Sequence, residues 1–321
     1  MTMPGAAKTT AELLTFGPVH LDIRDLHRSV DFWRDLVGLR RIDVAGAAEA
    51  VASLGVDATP LVVLHPSATR PVQRGFSGLY HFAINLPSEP ELARVTARIR
   101  ASGHRFGAID HVVAKSIYVN DPDGIGVEIT FETPDRVRSF QWDEGSEAAL
   151  VIDAQGRKRS GVEPLDVEEV LALLADHDFM RPLPTGTVVG HFHLRVASME
   201  ASYAFYRDAI GLIPSTYAPW AGYGDLGAGG RVTHRIALNT WQGAGVPPRP
   251  PGVAGLRSLT MRFGSAEHLR SAVGRIGRVE ERGDEYVAGD PDGNGLVLSA
   301  VTKTAAHSPR VEGPAGQEKR P

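Results

Sequence analysis

GPVHLDIRDLHRSVDFWRDLVGL at residues 17–39 returns as GHFHLRVASMEASYAFYRDAIGL at residues 190–212, and DPDGIGVEIT at 121–130 returns as DPDGNGLVLS at 290–299. The two returns lie 173 and 169 residues downstream (17 to 190, 121 to 290), so one pattern of elements is used twice at a nearly constant offset. A repeat of this kind decides the architecture before any single element is read. Each half contains a second, smaller unit: GLYHFAINLPSEPELARVTARIRASG at 78–103 is matched by GLRSLTMRFGSAEHLRSAVGRIG at 255–277. Strand, helix and several short strands therefore follow one another four times, an α+β chain of two homologous halves.

The local patterns agree with this. Val19, Leu21 and Ile23 alternate with His20 and Asp22, the period of a half-buried strand. Leu26, Val30, Trp33 and Val37 then recur near helical spacing, and Gly38 stands where a helix end favours a left-handed residue. Between the halves the chain is charged and irregular, with one helix signal in which Asp166 and Glu169 form a capping-box-like start before Val170, Leu171 and Leu174. The expected division is an N-terminal tail at 1–15, a first domain at 16–134, a linker with one outward-packed helix at 135–187, a second domain at 188–302 and a polar, disordered tail at 303–321.

The chain has 12 His and no Cys. Thiolate metal sites, disulfides and Cys nucleophiles are excluded, and any transition metal must be held by imidazole and carboxylate. With 34 basic against 38 acidic side chains, the formal charge of −4 leaves no basic footprint for nucleic acid. No apolar run has the length of a membrane span, and the start lacks the pattern of a signal peptide, so a cytoplasmic protein with no membrane partner is expected.

Strand faces pick out candidate ligands. His20 points away from Val19, Leu21 and Ile23; His81 points away from Phe82 and Ile84; Glu128 points away from Val127, Ile129 and Phe131. Two imidazoles and one carboxylate on one side of a metal leave the other positions open, as in non-haem Fe(II) oxygenases.

The repeated unit, with GPVHLDI, GLYHFAI and DPDGIGVEI, resembles the vicinal oxygen chelate superfamily of glyoxalases, type I extradiol dioxygenases and fosfomycin-resistance proteins. More narrowly, VVLHP, GLYHFAINLPS, EPLDVEEVLALL, VVGHFHLRV, GAGG and ALNTWQGAGVPPRPPG resemble bacterial two-domain catechol-2,3-dioxygenase-like proteins from Phe16 to Val301. The resemblance implies two domains, each of two paired βαβββ modules forming a curved, barrel-like mixed sheet with helices outside. It implies metal ligation by His20, His81 and Glu128, an acid–base His65, and substrate contacts from His111 and Tyr118.

In the second half His193 matches His20, but Ser258 and Val297 stand where His81 and Glu128 would be, so that half is expected to lack a metal and His191 and His234 to be ordinary. DPDGIG reads as a hairpin turn and residues 247–251 as a rigid proline loop. The implied activity is extradiol ring opening of a catechol or substituted catechol by O2 with Fe(II), or Mn(II) in its place. The alternatives are a metal-dependent isomerase or lyase of the glyoxalase type, often with a fourth protein ligand, and a metal-free small-molecule-binding resistance protein. Association into a homo-oligomer is left open.

Overall fold

The computed structural model describes residues 12–43, 51–141, 150–174, 178–232 and 234–301; most of the expected N-terminal tail and the whole C-terminal tail lie outside them. The first module is β1 (Leu14–Ile23), α1 (Leu26–Asp31), β2 (Arg40–Ile42), β3 (Ala52–Val56) and β4 (Thr59–Pro66). The second is β5 (Gly78–Asn85), α2 (Glu89–Ser102), β6 (Gly107–Asp110), β7 (Ala114–Asn120) and β8 (Gly126–Glu132). A connecting region holds β9 (Val137–Gln141), β10 (Leu150–Asp153), β11 (Lys158–Arg159), β12 (Glu163–Pro164) and α3 (Val167–Leu171). The third module is β13 (Val188–Arg195), α4 (Met199–Ala204), β14 (Ile213–Ala218), β15 (Tyr223–Gly227) and β16 (Ile236–Asn239). The fourth is β17 (Gly255–Phe263), α5 (Ala266–Ile276), β18 (Glu280–Arg282), β19 (Glu285–Gly289) and β20 (Gly295–Ala300). Among the described residues no helix is long and apolar enough to cross a membrane.

The repeated sequence gives repeated local structure. Asp25 and Ser198 each accept a backbone N–H three residues on and so start α1 and α4. Both helices run into a π-helical turn, Phe32–Val37 and Phe205–Ile210, that ends on a left-handed glycine, Gly38 (φ 95°) and Gly211 (φ 93°). Trp33 and Tyr206 fill the core beneath these turns.

The DPDG segments are hairpin turns, as expected, and they also join modules. Asp121 Oδ1 accepts the N–H groups of Asp123 and Ile125, while Asp123 takes the backbone N–H of Arg24 at 2.7 Å and its Nε at 2.6 Å. In the second half Asp292 takes Ala197 N and Ser202 Oγ, both at 2.7 Å. Gly126, after the first of these turns, is required by close approach: a Cβ there would lie 2.5 Å from the Tyr80 carbonyl oxygen.

Within every module the first and last strands pair in parallel: β1 with β4, β5 with β8, β13 with β16 and β17 with β20. Between modules the pairing departs from the expectation that each half makes its own sheet. β1 lies antiparallel to β17, and β5 lies antiparallel to β13. One mixed sheet of eight strands therefore joins the first and fourth modules, and one of nine joins the second and third. Each sheet does combine two modules, but they come from opposite halves. The DPDG contacts hold neighbouring modules of a half together by side chains, which leaves the edges of their first strands free for partners across the repeat.

The connecting region is more than a tether. β9, β10 and β11 form a small sheet, β12 extends the larger sheet beside β6, and α3 packs on α2 with Val170 buried and Asp166 accepting from Glu168 N and Glu169 N.

Because the chain has no cysteine, the pairing across halves can be trapped directly. Thr15 and Arg262 are partners in the β1–β17 register. The double substitution Thr15→Cys with Arg262→Cys should form an intramolecular disulfide on mild oxidation, seen as a mass loss of two hydrogen atoms and a gel shift reversed by reductant; sheets confined to each half would leave both thiols free.

Candidate metal centre

β5 and β13 lie side by side with His81 opposite His193, and β8 flanks β5 with Glu128 beside Ala83. Phe82, Ile84, Phe192 and Leu194 turn into the core with no exposed surface. Strand alternation then places His81, His191 and His193 together on the other face.

There Glu128 Oε2 lies 3.1 Å from His81 Nε2 and 3.0 Å from His191 Nε2. The three residues are buried, and one donor atom from each lies within 4.8 Å of the others. Oε1 of Glu128 accepts from Ser116 Oγ at 2.6 Å, itself 2.8 Å from Thr130 Oγ1, which fixes the carboxylate.

Burial alone would raise the Glu128 carboxyl, but His191 and His81 hold it well below the usual range. Burial presses His191 down to about 4 against the pull of Glu128, and drives His193 well below the ordinary imidazole value. An ionised carboxylate beside a neutral imidazole is the protonation state that metal ligation requires. His191 Nε2, moreover, is buried with no partner in hydrogen-bond geometry. The donor set therefore fits a transition metal held on one face by two imidazoles and a carboxylate. Nε2 of His193 is engaged differently, accepting from Asn239 Nδ2 at 2.9 Å.

A cavity of about 870 Å³ opens over this group, lined by the second and third modules and by the connecting region. Tyr118 faces Glu128 across the β7–β8 register, and its hydroxyl lies 2.8 Å from His111 Nε2. His111 Nδ1 lies 2.7 Å from Gly161 O, a carbonyl that can only accept. Nδ1 therefore carries the proton, and Tyr118 donates to Nε2. On the opposite wall His234 Nδ1 sits 2.9 Å from Asp225 Oδ2; burial lowers that imidazole, but Asp225 outweighs it and raises it overall.

The sequence-derived site is thus partly assembled. His81, Glu128, Tyr118 and His111 come together. His20 and His65 do not: they lie in the other sheet, His20 opposite Ser258 and its Nδ1 2.9 Å from His65 Nε2. The expected triad of His20, His81 and Glu128 is not brought together; the buried group that could hold a metal is His81, Glu128 and His191, because β5 has β13 as its neighbour and not β1. For the same reason His65, expected as the acid–base residue, lies in the other sheet and away from this group. His191, read from sequence as ordinary, is the residue missed, and the second half supplies a wall of the site. The available signal was GHFHL, in which His191 and His193 share one strand face about an apolar Phe192.

A family model of the Glyoxalase/Bleomycin resistance protein/Dioxygenase superfamily matches residues 15–129. Over 283 residues, 86% of this chain and 93% of the relative, the sequence is 32% identical to a protein of Bacillus subtilis strain 168 named catechol-2,3-dioxygenase. The chain belongs to this superfamily, the vicinal oxygen chelate proteins. Among solved structures it resembles a candidate dioxygenase of Bacillus subtilis (TM-score 0.56, 12% identity, covering 89% of this chain and 85% of the other). It also resembles glyoxalase I of Zea mays (TM-score 0.52, 18% identity, covering 89% and 92%). At these identities the structural likeness speaks to fold.

The rearranged donor set can be checked by metal titration. His191→Ala and Glu128→Ala should each weaken Mn(II) or Co(II) binding, measured by calorimetry on metal-stripped protein, by about 100-fold or more, since each removes a ligand where loss of a supporting contact already costs about 10–100-fold. His20→Ala should leave the affinity unchanged.

Proposed function

We propose that this protein is an Fe(II)-dependent extradiol dioxygenase that opens the ring of a catechol or substituted catechol with O2, Mn(II) being the alternative metal. The observation that carries the reading is the buried His81–Glu128–His191 face at the floor of a cavity large enough for an aromatic ring, with the Tyr118–His111 pair beside it. The name of the Bacillus subtilis relative supports it. Iron(II), held by His81, Glu128 and His191, would supply open positions for two adjacent oxygens and an electron source for dioxygen.

The protein's own groups position the diol and move its protons. Tyr118 Oη projects beside Glu128 and is hydrogen-bonded to His111 Nε2, so it can accept a diol proton while passing its own to that nitrogen. Gly161 O fixes the His111 tautomer that makes this transfer available. The pair takes the acid–base role that the resemblance gave to His65. The walls are apolar over most of their area, which lowers the local dielectric and strengthens each hydrogen bond at the diol.

Asn239 favours ring opening over glyoxalase-type isomerisation. It stands two residues along from the His193 register position, opposite Arg195, as Glu128 stands opposite Ala83 two along from His81. An amide thus occupies the place where a fourth carboxylate ligand would sit, and it is spent on His193.

Anaerobic loading with Fe(II), followed by oxygen uptake with a panel of catechols, tests the reading: one O2 should be consumed per diol, with appearance of a coloured ring-opened semialdehyde. Tyr118→Phe and His111→Ala should lower kcat by about 100- to 10,000-fold at unchanged metal content. His65→Ala should retain activity within about twofold. No uptake with any catechol at full metal occupancy would overturn the proposal.

A further inference from the structure

Arg195 follows His191 and His193 on the same face of β13, and it is a cation without an anion. Its Nη1 donates to Leu79 O at 2.8 Å, and its guanidinium carbon lies 5.1 Å from the Tyr80 ring centroid. Its Nε is buried and has no hydrogen-bond partner. No carboxylate pairs with Arg195 among the described residues. Burial presses the Arg195 guanidinium below its ordinary value against an opposing pull from Tyr80, and a second cation, Arg74, adds to the lowering. A half-buried guanidinium that has a second cation nearby and lacks a counter-charge is costly unless an anion visits it.

The position gives that vacancy a meaning. Arg74, Tyr80, Arg195 and Trp241 line an open pocket of about 470 Å³, and Tyr80, Arg195 and Trp241 also line the larger cavity, so the two adjoin at these side chains. Trp241 is 55% exposed at this mouth, and its ring stands 5.7 Å from Tyr80 and 5.4 Å from His193. Tyr80 and Trp241 thus stand with Arg195 between the outer pocket and the cavity, both rings against His193. Two residues of strand span about 7 Å, so Arg195 starts about 7 Å along the strand from His193. That distance suits a substituent on the far side of a ring whose diol lies over His81 and Glu128.

We infer that Arg195, assisted by Arg74, is a specificity-determining anion subsite, and that the substrate is an aromatic diol carrying a carboxylate side chain. The inference rests on the catechol reading above. With Nη1 held by Leu79 O, the Nε–Nη2 edge is left, and this edge takes the two oxygens of a planar carboxylate in parallel. Tyr80 and Trp241 flank the ring that carries it.

The test uses 3,4-dihydroxyphenylacetate and its methyl ester, which differ in the charge. Calorimetric binding to metal-stripped protein should favour the acid at least 10-fold, with a preference that shrinks as salt rises. Arg195→Gln should bring the ratio to about one, Arg195→Lys should keep part of it, and Arg74→Gln should lower it about threefold. Equal binding of acid and ester by the unmodified protein overturns the inference, whether or not any variant folds. Kinetics of the iron-loaded protein separate the two proposals. Oxygen uptake with equal kcat/KM for acid and ester would sink the anion subsite alone. Acid-selective binding with no uptake from any catechol would sink the ring-opening reading and leave the subsite standing.

Discussion

The antiparallel pairing of β5 with β13 is the constraint on which the functional face depends. These first strands of two modules lie 112 residues apart in register (His81 opposite His193), and their backbone ladder puts imidazoles from both halves on one surface. β8, held parallel to β5, brings Glu128 to the same surface. No loop positions any of these three strands' side chains, so the donor geometry is set by sheet spacing and is as rigid as the sheet. Loops enter only at the rim, where the segment after β6 carries His111 and the connecting region supplies Gly161 O to orient it.

Much of this was legible in the sequence. The fourfold unit followed from GPVHLDI, GLYHFAI and their returns, and alternation alone assigned His81 and Glu128 to the face turned from the core. Tyr118 and His111 came from a family resemblance, and the structure joins them by one hydrogen bond. What failed was adjacency. Four similar modules present four similar first-strand edges, and periodicity says which residues share a face without saying which edge meets which. His20 was paired with His81 because their modules are consecutive. The register instead sets His20 against Ser258, and His191, two residues before the recognised repeat position, takes its place.

The two sheets supply a natural comparison, since they share topology and differ in side chains at matching places. In the larger sheet His81 lies opposite Gly126, and the position two residues along β5 faces Glu128; in the smaller, His20 lies opposite Val63, and Asp22 faces His65. An imidazole thus replaces the carboxylate. Across the central pair, Ser258 and Val297 stand where the larger sheet has His193 and Asn239. Asp22, the nearby anion, is consumed by Ser67 at 2.6 Å and by Arg257 and Arg249 at 2.7 and 2.9 Å.

The electrostatic outcome differs accordingly. Burial, His65 and Arg257 press His20 down to about 4, and burial and Arg257 lower His65, so two neutral rings face each other and share a proton across 2.9 Å. They satisfy one another and leave no donor set seeking a cation. In the larger sheet the ionised Glu128 lies within 3.1 Å of His81 and His191, burial keeps His191 from charging, and His191 Nε2 has no partner in hydrogen-bond geometry. The fold offers the same shelf twice. A single carboxylate on β8, Glu128, is what makes one shelf a candidate metal centre and leaves the other a hydrogen-bonded core, which is why module similarity by itself could not identify the site.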